Sequence, residues 1–369
     1  MPSAAALPRT GICASARFPY NPPDQTFDRR ETPMQPSRRR VLGGTAAVLA
    51  TPFLARTAHA AEYTWKFAHT APQSFPFHIR LAAAAAQINK DSNGRMDFQV
   101  FPDGQLGGDN DLLSQARQGA IEFCQPTGQI FSSILPVTAI SALGFAWSDY
   151  AKVWPAMDGE LGAYIRAQIA AKSGLVAMDH MWDLGFRQIT SSTKPIRNAA
   201  DLVGFKIRTP VAPSLVTLFQ TLKAAPLALQ FPELYSALQT HIADGQENPL
   251  TLIKVAKFYE VQKYCSLTNH VWDGHWLCCN AAAWNGLPDD LKTIVARNLN
   301  DAALLERADI ATNDKSVQGD LEKAGMVFNT AETQSFRDGL KDGGFYKLWH
   351  DKLGDEPWAL LEKYAGRLG

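Results

Sequence analysis

The sequence lacks several features that would indicate particular classes of protein. Its 369 residues contain no apolar run of about 18, so the sequence predicts no membrane-spanning helix. Basic and acidic residues are equal in number, 36 of each, and this balance does not indicate nucleic-acid binding. The hydrolase motifs Gly-x-Ser-x-Gly and His-Glu-x-x-His do not occur. What is present is an ordinary globular composition, with 46% hydrophobic residues, in a chain long enough for two lobes.

The first 60 residues differ in kind from the rest. Residues 1–33 are rich in Pro, Ala and Arg, and Met34 is followed by a basic group, an apolar stretch at 41–55 and a small-x-small end. This order is typical of an export signal, and the adjacent arginines resemble a twin-arginine signal. We therefore predict a leader over 1–60 and a periplasmic protein, with a disordered basic tail as the alternative. We expect residues 34–60 to be the signal and residues 1–33 not to be native.

Removal of this leader changes the charge and the cysteine count. The first 60 residues contain 8 Arg and 3 acidic residues, so 28 basic and 33 acidic residues remain, a net charge of −5. Such a charge is typical of a soluble periplasmic protein. Four cysteines remain, and although the periplasm permits disulfides we favour buried free thiols. The side chains of adjacent Cys278 and Cys279 should point to opposite faces of a strand.

Strands and helices alternate along the first part of the remaining chain, which predicts a parallel α/β sheet. Asp109 is expected to cap the second of these helices. Residues 244–248 are expected to form a tight turn or a very short strand, 288–323 one long or broken helix, and 326–329 an edge strand. The first predicted elements are strands at 63–68, 96–101 and 121–125 and helices at 77–93 and 109–118.

Two arginines at strand ends are the first candidate binding residues. Arg187 interrupts an apolar strand, and Arg208 ends another. In open α/β sheets ligands lie at strand ends, where a guanidinium group can hold a carboxylate by two parallel hydrogen bonds. The two arginines could therefore bind one acid, although structural salt bridges are the explanation that spacing alone favours.

The polar segment between Asp244 and Pro249 is the second candidate. Asn248 can both donate and accept hydrogen bonds, and a helix after Pro249 would direct its positive N-terminal end nearby. Asp244 and Glu247 could instead be hydrolytic carboxylates, but nearby arginines would bind an anion rather than distort a sugar.

Four motifs occur in order along this part of the chain. They are Gly185-Phe186-Arg187, Asp201-Leu202-x-Gly204-x-Lys206-Ile207-Arg208-x-Pro210, Tyr235-x-Ala237-Leu238-Gln239, and Asp244-Gly245-Gln246-Glu247-Asn248-Pro249. This order resembles the solute-binding proteins of tripartite ATP-independent periplasmic (TRAP) transporters, the DctP-like family. The resemblance covers about 63–365, and one departure from the family pattern is the bulky His241 in the loop at 240–243.

The resemblance implies a two-lobed α/β periplasmic binding protein fold, with a ligand cleft between the lobes and a long helix that braces both. Because no Pro/Gly/Ser linker separates two domains, the lobes should exchange strands. We expect 62–185 with about 271–312 in lobe 1, and 186–270 with about 313–369 in lobe 2.

The resemblance also implies a function without catalysis and without a cofactor. The protein should capture a small organic carboxylate and deliver it, as a monomer, to the small and large membrane subunits of the transporter. By this resemblance, Arg208 should bind the substrate carboxylate, Arg187 should assist it, and Asn248 should add a polar contact.

Less constrained positions should shape the rest of the pocket. His69 and Gln73 follow the first strand, Trp182 precedes the Gly-Phe-Arg motif, and His270 and Trp272 lie in a ring-rich segment. Aromatic walls would favour a ligand with an apolar or ring body, although aromatic residues at strand ends are usually core.

Two other functions remain open at this point. A metal-dependent hydrolase could use His270, His275, Cys278 and Cys279, but their spacing is not a recognised zinc pattern, and we predict no metal. A periplasmic ligand sensor would use the same two lobes.

Overall fold

The computed structural model describes residues 60–368, so the predicted leader lies outside the described residues. The strands are β1 (Tyr63–Ala68), β2 (Met96–Phe101), β3 (Phe123–Cys124), β4 (Leu175–Ala177), β5 (Trp182–Ser191), β6 (Lys206–Thr209), β7 (Ala225–Ala228), β8 (Gly245–Pro249), β9 (Tyr264–His275), β10 (Cys278–Asn280) and β11 (Val327–Thr330). The α-helices are α1 (Pro76–Asp91), α2 (Asp109–Gln118), α3 (Gly128–Phe131), α4 (Tyr150–Met157), α5 (Glu160–Lys172), α6 (Pro213–Thr221), α7 (Leu234–Gln239), α8 (Leu250–Val255), α9 (Ala281–Gly286), α10 (Asp289–Asn313), α11 (Val317–Lys323), α12 (Thr333–Asp342), α13 (Phe345–Leu353) and α14 (Asp355–Ala365).

The strands form two mixed sheets. The first has the order β2-β1-β3-β10-β4, in which β1 pairs in parallel with β2 and β3 while β10 pairs antiparallel with β3 and β4. The second has the order β11-β9-β5-β8-β6-β7 and includes the long antiparallel pair β5 and β9. The two-lobed α/β class is therefore confirmed, and so is the parallel arrangement predicted for β1, β2 and β3. β10, which comes later in the chain, adds an antiparallel strand between β3 and β4. The proposed lobe boundaries stay a prediction.

The neighbours of β8 explain why distant motifs meet. β8 lies between β5 and β6, with Asn248 opposite Gln188 and Gln246 beside Arg208. The register of β5 against β9 shifts between Arg187 and Ile189, and such an irregularity re-aims side chains. The residues expected as a tight turn or very short strand thus form a strand inside the second sheet.

The long helix α10 packs one face against the rest of the protein. Leu291, Val295 and Leu299 recur every four residues and are buried, as a helix with one apolar stripe requires. Glu306 on the same face is buried too, and its Oε2 accepts a hydrogen bond from the Asp183 backbone amide at 2.9 Å. This contact joins α10 to β5. The helical region predicted over 288–323 is confirmed as the two helices α10 and α11.

Two further expectations can be compared with the structure. The N-cap of α2 is Gly108 rather than Asp109, and the Gly108 amide donates to Asp111 Oδ2 at 3.0 Å. All four cysteines of the described residues are buried free thiols. Cys278 and Cys279 contribute to different hydrophobic clusters, as expected for opposite faces of a strand. None of the helices in residues 60–368 combines the length and the apolar character needed to cross a membrane.

We predict that Leu299→Ala lowers the free energy of unfolding by about 2–5 kcal/mol, because Leu299 is fully buried and truncation leaves a cavity. Leu304→Ala is the matched control on the same helix, since Leu304 is 47% exposed and its truncation should change stability by less than about 0.5 kcal/mol. Denaturant unfolding of both variants measures the difference. Equal losses would show that α10 does not pack as described.

Candidate functional site

A cavity with about 480 Å³ of empty space lies between residues of the two sheets. This figure includes space open to solvent, and the volume that a water-sized molecule can occupy is about 50 Å³, well below the roughly 300–1,000 Å³ of typical ligand sites. The first sheet and its loops contribute Thr70, Phe75, Asp109, Gln125 and Thr127, and the second contributes Leu184, Arg187, Arg208 and Asn248. At the rim, Asn110 Nδ2 donates to the Val211 carbonyl oxygen at 3.4 Å, which bridges the two sides.

Arg208 presents a buried positive charge to this cavity. The residue is 1% exposed, and its Nε and Nη2 donate to the Leu229 carbonyl oxygen at 3.0 and 2.6 Å. Within residues 60–368, no carboxylate lies within 4.0 Å of its guanidinium group and no hydrogen bond uses Nη1. Burial lowers the pKa of Arg208 to about 10, so the side chain is still charged at neutral pH. A buried charge without a partner is costly, and an anion in the cavity would remove that cost.

Arg187 is buried as well, but its charge is compensated inside the protein. Its Nε and Nη2 donate to the two carboxylate oxygens of Glu247, the latter at 2.7 Å to Oε1. Nη2 also donates to the Glu247 carbonyl oxygen at 2.8 Å and to Asn248 Oδ1 at 3.2 Å. The structural salt bridge considered from the sequence is therefore real for Arg187, although the residue also lines the cavity.

Glu247 and His270 form the layer behind Arg187. Burial alone would raise the pKa of Glu247, but the charge and hydrogen bonds of Arg187 and the contact with His270 hold it at about 2. His270 Nε2 lies 3.1 Å from Glu247 Oε2, and its Nδ1 lies 2.8 Å from Thr268 Oγ1. Because a carboxylate can only accept, Nε2 carries the proton and the Thr268 hydroxyl donates to Nδ1. Burial lowers the pKa of His270, so the ring is neutral.

Asn248 is fixed by both of its neighbours. Its Nδ2 donates to Gln246 Oε1, and its Oδ1 accepts from Arg187. The side chain is 2% exposed and lines the cavity. Asn248 therefore presents a rigid edge next to Arg187 rather than a freely rotating amide.

Hydrogen-bond acceptors occupy the opposite wall. Asp109 Oδ1 accepts from Thr70 Oγ1 at 2.7 Å, and no hydrogen bond in the described part of the chain uses its Oδ2. Burial raises the pKa of Asp109, against the lowering effects of Thr70 and the charge of Arg208. Gln125 is 4% exposed, and its Oε1 has no partner among the described residues. Both side chains line the cavity opposite the arginines.

The structure brings together three of the predicted site residues, Arg208, Arg187 and Asn248. Glu247 and His270 stand directly behind them and do not line the cavity. These five residues lie close together because they come from four adjacent strands of the second sheet, β9, β5, β8 and β6.

The other four predicted residues lie elsewhere and do not line this cavity. His69 is buried against Phe77, and its Nε2 lies 3.0 Å from His78 Nδ1. Gln73 is exposed, and its Nε2 donates to Asp103 Oδ2 at 2.8 Å.

The two tryptophans are core residues rather than pocket walls. Trp182 packs on Phe77 with ring centroids 4.9 Å apart. Trp272 donates from Nε1 to Asp183 Oδ1 at 2.9 Å. The aromatic rings that do line the cavity are Phe75 and Phe231.

Sequence reasoning missed Thr70, Gln125 and the lining role of Asp109. A signal was available, because Thr70 and Gln125 follow the ends of β1 and β3, where the strand-end rule places ligand contacts. Asp109 was interpreted only as a helix cap. Within residues 60–368, no group of three or more His, Cys, Asp or Glu side chains is arranged to hold a metal ion, so His270, His275, Cys278 and Cys279 do not form such a group.

Two mixed α/β sheets with a polar, arginine-bearing cavity between them define a two-lobed ligand-binding protein. Comparisons with known proteins identify the family within this class. Residues 67–343 match the family described as bacterial extracellular solute-binding protein, family 7, or DctP. The chain belongs to this family.

Individual relatives and solved structures agree with this assignment. A solute-binding protein of Roseobacter denitrificans is 31% identical over 300 residues, which cover 81% of this chain and 91% of that protein. The 2,3-diketo-L-gulonate-binding periplasmic protein YiaO of Escherichia coli is 28% identical over 77% of this chain and 86% of its own. The crystal structure of a TRAP periplasmic solute-binding protein from Polaromonas, bound to D-erythronate, is 27% identical with a TM-score of 0.78, covering 82% of this chain and 99% of that one.

We predict that Glu247→Gln lowers the free energy of unfolding at pH 7 by about 3–5 kcal/mol, because it removes the countercharge of the buried Arg187. Glu332→Gln, at an exposed position, is the matched control and should be nearly neutral. Denaturant unfolding measures both variants.

The effect of Glu247→Gln should also depend on pH. The folded-state pKa of Glu247, about 2, is below its ordinary value, so the stabilisation is present above about pH 4.5 and is lost as the pH falls towards 2. A loss of stability at pH 7 no larger than that of the control would contradict the ion-pair account.

Proposed function

We propose that this protein is the periplasmic receptor of a TRAP transporter and that it binds a small organic acid through Arg208. The observation that carries the proposal is the buried guanidinium group of Arg208, which faces the cavity without a carboxylate partner in the described residues. A ligand carboxylate supplies the missing negative charge and can accept two parallel hydrogen bonds.

Arg187 and Asn248 complete the contact with the acid. Glu247 fixes Arg187 on two sides, so little side-chain entropy is lost when Arg187 meets the ligand. Nη1 of Arg187 lies 3.7 Å from Asp273 Oδ2, which is longer than a hydrogen bond, and this leaves Nη1 available to a ligand. Asn248 is held against Arg187 and adds a neutral polar contact.

Binding should shift the protein towards a closed form. The lining residues come from both sheets, so a ligand can touch all of them only when the two sides are together. A ligand shifts such an equilibrium by the difference between its affinities for the two states. We propose that the closed, loaded monomer is the form that the membrane subunits recognise.

The ligands of related proteins support an acid. Solved relatives carry D-erythronate, L-galactonate and succinate, each with at least one carboxylate. A metal-dependent hydrolase has no comparable support, because no group of three or more His, Cys, Asp or Glu side chains within residues 60–368 is arranged to hold a metal ion.

A screen of ligands tests the proposed function. The protein is purified from the periplasm, unfolded and refolded to strip any bound ligand, and heated with organic acids, sugars or amino acids. A ligand at 100 times its dissociation constant adds about 2.7 kcal/mol and raises the melting temperature. We expect only acids to do so, and stabilisation by neutral sugars alone would contradict the proposal.

We predict that Arg208→Ala and Arg208→Lys weaken binding of the acids found in that screen by about 2–5 kcal/mol, because each loses the forked contact in a closed cavity. Arg197→Ala, at an exposed arginine, is the control and should bind normally. Titration calorimetry gives the affinities, and circular dichroism checks folding. Near-native affinity in a folded Arg208→Ala protein would contradict the assignment.

We also propose export by a twin-arginine-like signal at 34–60, with 1–33 outside the natural protein. Arg38→Lys with Arg39→Lys keeps the charge but removes the arginine pair, and should retain the precursor in the cytoplasm. Arg56→Lys, inside 34–60 but away from the arginine pair, is the control and should leave export unchanged. Cell fractionation and N-terminal sequencing, with an expected start near Ala61, measure both outcomes. Unchanged export of the Arg38/Arg39 variant would rule out this signal.

A further inference from the structure

We infer that the cavity selects hydroxylated monocarboxylates over dicarboxylates of the same length, because Asp109 and Gln125 form an acceptor wall opposite the arginines. This inference rests on the proposed function, and it names which class of acid the site takes.

The charges around the cavity leave room for one carboxylate. Arg187 is neutralised by Glu247, so Arg208 is the cation that still lacks a paired anion among the described residues. Asp109 adds a carboxyl group on the far wall, more than 4.0 Å from either arginine. A ligand carboxylate can pair with Arg208, whereas a second ligand carboxylate would meet no further cation and would lie beside Asp109.

The far wall requires donors instead. Asp109 Oδ2 and Gln125 Oε1 are acceptor atoms without hydrogen-bond partners in residues 60–368, and Gln125 is 4% exposed. An ionised carboxylate has no hydrogen to offer either atom and could accept only from the Gln125 amide or the ring N–H of His275, which also lines the cavity, while a hydroxyl group can both donate and accept. Gln125 Oε1 is buried, and leaving it unpaired costs free energy, so a ligand with hydroxyl groups at this end is favoured over one without them.

Asp109 is also placed to repel the wrong ligand. A second carboxylate at this wall would stand beside the Asp109 carboxylate, and like charges in a closed site weaken binding. Hydroxyl groups satisfy the wall without changing the charge balance.

The rest of the lining suits a short carbon chain between the two polar ends. Phe75, Phe231 and Leu184 supply apolar surface, and their side chains can pack on the C–H groups of a linear or cyclic polyol acid. Thr70 is engaged with Asp109, so it holds the acceptor in place.

Three four-carbon acids test this inference directly. D-erythronate is a hydroxylated monocarboxylate, succinate is the dicarboxylate, and butyrate is the monocarboxylate without hydroxyl groups. L-galactonate, adipate and hexanoate repeat the comparison at six carbons. Titration calorimetry on the stripped, refolded protein measures each affinity.

Among acids of equal length, we expect the hydroxylated acid to bind about tenfold or more tightly than both the dicarboxylate and the unsubstituted acid. This preference should hold for the four-carbon acids, the six-carbon acids or both. A dicarboxylate or an unsubstituted acid that binds as tightly as the hydroxylated one would overturn the inference and leave the carboxylate receptor intact. Binding of no acid in this set or in the wider screen would instead overturn the proposed function, and the inference with it.

Asp109→Asn shows whether the acceptor wall is responsible. The change is isosteric, removes the negative charge and provides an amide donor, so the preference for erythronate over succinate should narrow by about fivefold or more. Asp301→Asn, at an exposed position on α10, is the matched control and should keep the wild-type ratio. An unchanged ratio of erythronate to succinate affinity in folded Asp109→Asn protein would overturn the role of Asp109. If this variant does not fold, the acid series measured on the wild-type protein still decides the selectivity.

Discussion

The buried ion pair between Arg187 and Glu247 is the interaction on which the rest of the site depends. It joins β5 to β8 by a forked contact, and it fixes the strands between which the ligand-facing side chains stand. It also determines the charge of the cavity. With Arg187 compensated by Glu247, and His270 neutral behind them, Arg208 is left to attract an anion. Arg187 therefore shapes the site, and we propose that Arg208 makes the main contact with the acid, although the sequence presents them as two similar residues.

The two sides of the cavity differ in chemistry. Arg208 and Arg187 come from the second sheet, while Thr70, Asp109 and Gln125 come from loops of the first. A ligand with a negative head and a hydrogen-bond-donating body matches this polarity and meets both sides at once. Because both sides contribute contacts, affinity and closure are coupled: each contact made with the far wall also favours the closed form. In the function that we propose, a single site thus serves both recognition of the acid and closure of the protein.

Much of the fold could be predicted from sequence, and the reasons are local. β1, β2 and α2 lie at the predicted positions because their patterns of apolar residues are regular, and because Gly or Pro stands at the ends of β2 and α2. Arg187, Arg208 and Asn248 were recognised because whole motifs surround them. The antiparallel pairing of β10 within the first sheet was not predicted, because β10 is three residues long and its place depends on tertiary pairing. Trp182 and Trp272 were expected to be pocket walls, but the sequence does not show whether an aromatic side chain at a strand end points into the core or into the pocket. Gln125 could have been found from its place directly after β3, but Asp109 faces the cavity through the packing of the two sheets, which short-range patterns do not encode.

The central claim is that the ligand carboxylate meets Arg208 inside the closed cavity, with the donor groups of the ligand against Asp109 and Gln125. A crystal structure of the protein with a bound acid tests it most directly. The account predicts a carboxylate within about 3.2 Å of Arg208 Nη1 and hydroxyl groups within hydrogen-bond distance of Asp109 or Gln125. A carboxylate bound away from Arg208, or one directed at Asp109, would contradict it.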